Sequence, residues 1–231
     1  MQQEPKRRTR RAKTKFDDNK SRVDLVPRNE NQAKYIEALS TADQVIVFGP
    51  AGTGKTYVVS TFAANAYHMK EVNKVVITRP HIPVGKDIGF LPGTLEEKSA
   101  PWALPVLDVL ERHLGKGVVE TALKNGNIEV APLALMRGRS FDDTFVICDE
   151  AQNITLPELK MLVTRIGEGS TLVLNGDIQQ SDLKEGDGLS KIIHLTKKHM
   201  LPIPIIEFTL DDIVRSDICK LWITTFTKEG L

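Results

Sequence analysis

Cysteine is nearly missing from this sequence: Cys148 and Cys219 are the only two in 231 residues. They are too few and too far apart for a disulfide framework or a zinc cluster. Their apolar neighbours predict two buried free thiols, which fits a reducing, cytoplasmic setting. Aromatic residues are also sparse, at 6%, and no stripe of interleaved aromatic and basic residues marks a nucleic-acid surface. No apolar run nears membrane-spanning length, so no membrane partner is expected. The charged N-terminus has no apolar segment behind it, which argues against a secretory leader. The five histidines, His68, His81, His113, His194 and His199, show no metal-ligand spacing.

What is present is unevenly spread. Residues 1–22 carry nine basic side chains against three acidic ones, a charge of +6 within a chain of net +1. The remainder is therefore mildly acidic. Residues 1–24 read as a basic, disordered arm and residues 25–231 as one globular domain. The arm either attracts phosphate backbones or merely solubilises the chain; a targeting role is a third option.

Periodicity within the domain alternates between strand and helix. Asn29 is placed to cap a helix over 30–40. Short apolar runs at 45–48, 75–78, 128–131, 145–148, 171–174 and 205–209 read as strands. Helices are predicted over 55–68, 102–114, 118–124, 157–166, 189–198 and 213–226. Four prolines and three glycines between 80 and 101 predict a long ordered loop. This alternation predicts an α/β fold with a mostly parallel sheet flanked by helices.

Chemistry enters at Gly49-Pro50-Ala51-Gly52-Thr53-Gly54-Lys55-Thr56. An apolar strand precedes it and a helix follows. Glycines at this spacing let backbone N–H groups wrap phosphates, and the helix N-terminus adds positive charge. Lys55 is expected on the β- and γ-phosphates of ATP, Thr56 on Mg²⁺, and Tyr57 beside the nucleotide. Phe145-Val146-Ile147-Cys148-Asp149-Glu150 delivers two acids to the end of a second strand. Asp149 is expected to hold Mg²⁺ through water, and Glu150 to polarise the attacking water. The alternative is a pair of exposed acids capping the next helix. After the strand 171–174, Asn175-Gly176-Asp177-Ile178-Gln179-Gln180 is either a plain turn or a γ-phosphate sensor, with Gln180 the sensing residue.

Together these pieces resemble the PhoH-like proteins, P-loop ATPases related to the superfamily-one helicase core. Pro27-Arg28-Asn29-Glu30-Asn31-Gln32, Thr78-Arg79-Pro80 and Gly89-Phe90-Leu91-Pro92-Gly93 carry the likeness. So do Ala131-Pro132-Leu133-Ala134, Met136-Arg137-Gly138-Arg139, Asp149-Glu150-Ala151-Gln152-Asn153 and Asp211-Asp212-Ile213-Val214-Arg215. Ser181-Asp182-Leu183-Lys184 departs from the Asp-Leu-Pro more usual there, which puts the shape of that loop in doubt. No extra nuclease-like or RNA-binding domain of the kind fused in some relatives is expected. The resemblance implies a RecA-like P-loop NTPase domain, with Gln32 reading the adenine. It also implies single-stranded RNA or DNA as partner. Two-domain relatives supply an arginine to the γ-phosphate from their second domain. A single domain then calls for a homo-oligomer, a hexameric ring in which a neighbour donates Arg215, with Arg137 and Arg139 as alternates. Arg79 is either a nucleic-acid contact or an anchor for an acid such as Glu150.

Two other functions stay open on the residues alone. One is an ATP-regulated switch that binds a protein and no nucleic acid. The other is a small-molecule P-loop kinase, against which the second acid, Glu150, argues.

Overall fold

The computed structural model describes residues 23–80, 95–183 and 188–229. Six strands form one sheet: β1 (Gln44–Phe48), β2 (Lys74–Thr78), β3 (Ile128–Val130), β4 (Thr144–Cys148), β5 (Thr171–Gly176) and β6 (Ile205–Glu207), in the order β3-β2-β4-β5-β1-β6. Every neighbouring pair is parallel. The strands are apolar almost throughout because both faces are covered. In β1, Val45 and Val47 point to one side and Ile46 and Phe48 to the other, and all four are buried. Around one face pack α1 (Glu30–Thr41), α2 (Lys55–His68), α3 (Leu95–Leu114) and α4 (Lys116–Lys124). Leu159 and Leu162 of α5 (Leu156–Val163) and Leu189, Ile192 and Ile193 of α6 (Gly188–Lys198) cover the other. The last helix, α7 (Asp217–Glu229), buries none of its residues.

Several boundaries differ from those the sequence pattern predicts. Residues 95–101 begin α3 instead of ending a loop. Pro101 and Pro105 lie inside that helix, at a cost that burial of Ala103, Val106 and Leu110 offsets. The rest of the expected loop, 81–94, lies outside the described residues, as does nearly all of the basic arm. The arm's described end is already part of the body: Val23 N–H donates to Asn65 Oδ1 at 3.0 Å, and Asn65 Nδ2 returns a bond to the Val23 carbonyl at 3.0 Å. Strand β6 stops at Glu207, and α7 starts at Asp217 rather than 213. A tight turn intervenes, in which Asp212 Oδ2 accepts from the Thr209 amide at 2.8 Å. α5 ends at Val163, three residues early. Cys148 is buried as expected, but Cys219 on α7 is only half-buried.

On the outer edge strand β3, Glu129 accepts from Nη1 and Nη2 of Arg139, at 2.5 and 2.7 Å, and from Lys74 Nζ at 2.6 Å. Arg139 also lies over the Phe141 ring, 5.1 Å from its centroid. The Arg139 hydrogen bonds, aided by Lys74, hold the Glu129 carboxyl down at about 2. A carboxylate depressed in the fold contributes stability above its unfolded pKa, near 4.5, and loses it as pH falls towards 2. Glu129→Gln is therefore expected to lower Tm by a few degrees at pH 7, with the gap to wild type closing between about pH 4.5 and 2. Thermal melts across that range check it; a gap independent of pH would assign the loss to packing.

Candidate nucleotide-binding site

Strands β4, β5 and β1 are adjacent and parallel, so their C-terminal ends open side by side, where open α/β sheets bind ligands. The loop after β1, the acids after β4 and the last residues of β5 share one cleft of about 630 Å³. Lys55, Thr56, Tyr57, Asp149, Glu150, Gln180, Arg215 and Gln32 all line it.

The Gly49–Thr56 loop is gripped from both flanks. Gln32, nearly fully buried on α1, donates from Nε2 to the Thr53 carbonyl at 2.9 Å and accepts the Arg28 amide at 2.9 Å. From the other flank, the Val214 amide bonds the Gly52 carbonyl at 3.0 Å. Arg28 Nη1 and Asn29 Nδ2 tie the two flanks together through the carbonyls of Val214 (2.9 Å) and Asp212 (3.1 Å). Two glycines are required here. Gly49 has φ +138°, and a Cβ there would strike the Phe208 carbonyl; Gly54, at φ +85°, would put one 2.8 Å from Gln32 Nε2. Gly54 leads directly into α2, whose N-terminal amides and dipole face the cleft.

Lys55 Nζ donates to the carbonyls of Gly49 at 2.7 Å and Pro50 at 2.9 Å. Burial lowers its pKa, and the acids Asp177, Asp149 and Glu150 oppose that shift. Asp149 is the most strongly perturbed acid of the cleft: burial first, then the charge of Glu150, push it up to about 6. A bound cation would favour its charged form again. Glu150 has left-handed backbone, φ +53°, strained by about 1–2 kcal/mol for a residue with a Cβ. Its Oε2 accepts Gln152 Nε2 at 2.6 Å. The same Gln152, buried, accepts the Asp177 amide on Oε1 at 3.0 Å. Neighbouring Asn153 and Gln152 also accept the Asp182 amide at 2.8 Å and Ser181 Oγ at 3.0 Å. The segment 177–183 is thus tied to the acidic loop, which resolves its shape up to Leu183; Lys184 lies outside the described residues.

The residues present fit a nucleotide with Mg²⁺. Thr56 supplies a hydroxyl and Asp149 a carboxylate, and both are bonded to one side chain, Asn175, at 3.1 and 2.6 Å. Among the described residues no group of three or more His, Cys, Asp or Glu could hold a metal by itself. Leu25, Val26 and Tyr57 also line the cleft, the last two exposed at 74% and 43%, which leaves the Tyr57 ring open to stacking.

Two of the expected arginines lie outside this cleft. Arg139 is committed to Glu129, and Arg137 is exposed with no ion pair among the described residues. Arg215 sits over its own chain's loop, its Cγ 3.0 Å from where a Gly52 Cβ would be. Arg79 follows β2 beside the acids, and its charge lowers the pKa of Asp149. The sequence assigns no role to Asn175 or Gln152, although each sits in a motif that carries the site. A polar residue near the end of an otherwise apolar strand is the signal for Asn175.

The family model for PhoH-like proteins matches residues 24–227. Protein PhoH of Escherichia coli K12 is 40% identical over 207 residues, 88% of this chain and 58% of that protein. The PhoH-like protein of Bacillus subtilis 168 is 41% identical over 205 residues, 86% and 63% of the two chains. That of Mycobacterium tuberculosis H37Rv is 41% identical over 191 residues, 82% and 54%. The chain therefore spans little more than half the length of these curated relatives. Among solved structures, the Sulfolobus solfataricus SWI2/SNF2 ATPase core in complex with dsDNA is similar at 13% identity, with a TM-score of 0.46, covering 84% of this chain and 46% of that one.

Proposed function

This chain belongs to the PhoH-like protein family, and on that footing we propose that it binds ATP–Mg²⁺ in the cleft and hydrolyses it. The observation that carries the reading is the convergence of Lys55, Thr56, Asp149 and Glu150 on one cleft at the ends of three adjacent strands. Mg²⁺, when bound, supplies positive charge to the β- and γ-phosphate oxygens. Thr56 and Asp149 are its holders, Asp149 through water. Lys55 exchanges the Gly49 and Pro50 carbonyls for phosphate oxygens. Glu150 takes a proton from the water whose oxygen bonds the γ-phosphorus; the bond to the β-γ bridging oxygen breaks, and its electron pair leaves with ADP. Gln180, exposed at the cleft, senses the γ-phosphate. Tyr57 and Gln32 serve the base end, although Gln32 already spends both ends of its amide on Thr53 and Arg28.

Arg215 is assigned to its own chain's nucleotide on the strength of its position over Gly52. Arg137 is then the arginine left to act on a neighbour in a hexameric ring, because Arg139 is held by Glu129. Single-stranded RNA or DNA is the proposed second partner. The +6 arm supports it, against an acidic body. The two free cysteines suit a cytoplasmic setting; among the described residues no helix is long and apolar enough to cross a membrane.

Phosphate release from ATP–Mg²⁺ by wild type and Lys55→Ala, with and without single-stranded RNA, tests this reading. Turnover that disappears with Lys55 and rises with RNA is expected. Lys55-dependent turnover indifferent to RNA or DNA would favour the protein-regulated switch. Phosphate on an acceptor other than water would make the protein a kinase.

A further inference from the structure

Asn175 is the penultimate residue of β5, the strand that separates the phosphate loop's strand from that of the acids. Its register partner in β1 is Val47, two residues before Gly49, so its side chain emerges between the two halves of the site. Only 2% of it is exposed. Nδ2 donates to Asp149 Oδ1 at 2.6 Å and to Thr56 Oγ1 at 3.1 Å. The amide orientation follows from the partners: reversed, it would set a carbonyl against a carboxylate. Oδ1 is then left buried without a partner. Thr78, whose carbonyl holds the Asp149 amide at 3.0 Å, also leaves its Oγ1 buried and unpartnered. Unpartnered buried polar atoms are rare and point to a missing ligand or water.

We propose that Asn175 is the positioning residue of the divalent-cation site, holding Thr56 and Asp149 together and offering Oδ1 to a cation-bound water. The proposal rests on the ATP–Mg²⁺ reading and deepens it. A side chain that orients two metal-holding groups acts on metal affinity far more than on contacts elsewhere. It gives β5 a task distinct from that of Gln180, five residues on: Asn175 answers to the cation, Gln180 to the phosphate.

The probe is N-methylanthraniloyl-ADP fluorescence, titrated with Mg²⁺ and repeated in EDTA, on the full chain. Asn175→Leu fills a similar volume without the amide. Its Mg²⁺ midpoint is expected to rise by about 10- to 100-fold, while affinity for the nucleotide in EDTA and the melting temperature stay close to wild type. Asn175→Gln, which keeps the amide at a longer reach, is expected to fall between. An unmoved Mg²⁺ midpoint would overturn the proposal. So would parallel losses of EDTA affinity and melting temperature without a change in Mg²⁺ dependence, the mark of packing alone. If wild type itself binds the probe with no response to Mg²⁺, the ATP–Mg²⁺ reading fails first and takes this one with it. A Mg²⁺ response in wild type that Asn175→Leu shares would sink only the role of Asn175.

Discussion

Glu150→Gln is expected to slow phosphate release from ATP–Mg²⁺ by about 10²–10⁴-fold while leaving nucleotide binding intact. The substitution keeps the shape of the side chain and removes its ability to take a proton. It also keeps an oxygen able to accept Gln152 Nε2, so the bridge from the acidic loop to Asp177 survives. Removing the charge relieves the second cause of the raised Asp149 pKa, after burial. Asp149 then stays ionised to lower pH, so cation binding at pH 6 is expected to improve in the variant even as turnover collapses. Glu150→Ala breaks the Gln152 bond as well, and its excess effect over Glu150→Gln measures what that bond positions. Single-turnover phosphate release beside equilibrium binding separates the outcomes. A loss confined to affinity would make Glu150 a binding group, and unchanged turnover would place the base elsewhere.

The parts of the candidate cleft are largely legible in the residues because they are local. A phosphate loop needs glycines at fixed spacing between a strand and a helix, and the acids need only an apolar strand behind them. Helix α2 begins and ends where the pattern placed it, since Gly54 and Lys55 define its start. What escaped depends on contacts across the chain. Asn175 meets Thr56 across 119 positions of sequence, and Gln152 meets the Asp177 amide across 25. No spacing rule encodes such pairs; they follow from strand order, which the sequence pattern leaves open. The start of α3 escaped for the opposite reason. Local proline chemistry reads as a helix break, and burial of Ala103, Val106 and Leu110 overrides it. The sequence points Arg215 at a neighbour because a single domain lacks a second wall for the cleft. The turn held by Thr209 and Asp212 brings residue 215 back over Gly52 in its own chain.

That placement of Arg215 sharpens the second large prediction, Arg137→Ala. An arginine supplied to the γ-phosphate accelerates transfer by about 10³–10⁵-fold, so its removal is expected to cost that order of turnover. Affinity for ATP in the variant's own cleft should be nearly untouched, since Arg137 is exposed and outside that cleft. Mixing subunits decides whether the arginine acts across an interface. Lys55→Ala and Arg137→Ala should each be inactive alone, whereas a mixed ring would join an intact Lys55 to a neighbour's intact Arg137 and recover part of the activity. Lys55→Ala mixed with Arg215→Ala should recover nothing beyond the sum of its parts, because an arginine in the same cleft cannot serve a neighbour. Recovery with Arg215 and none with Arg137 would reverse the two assignments. Turnover per subunit that holds constant on dilution to a monomer would remove the ring altogether, and leave Arg215, already over the phosphate loop, as the positive charge the cleft supplies to itself.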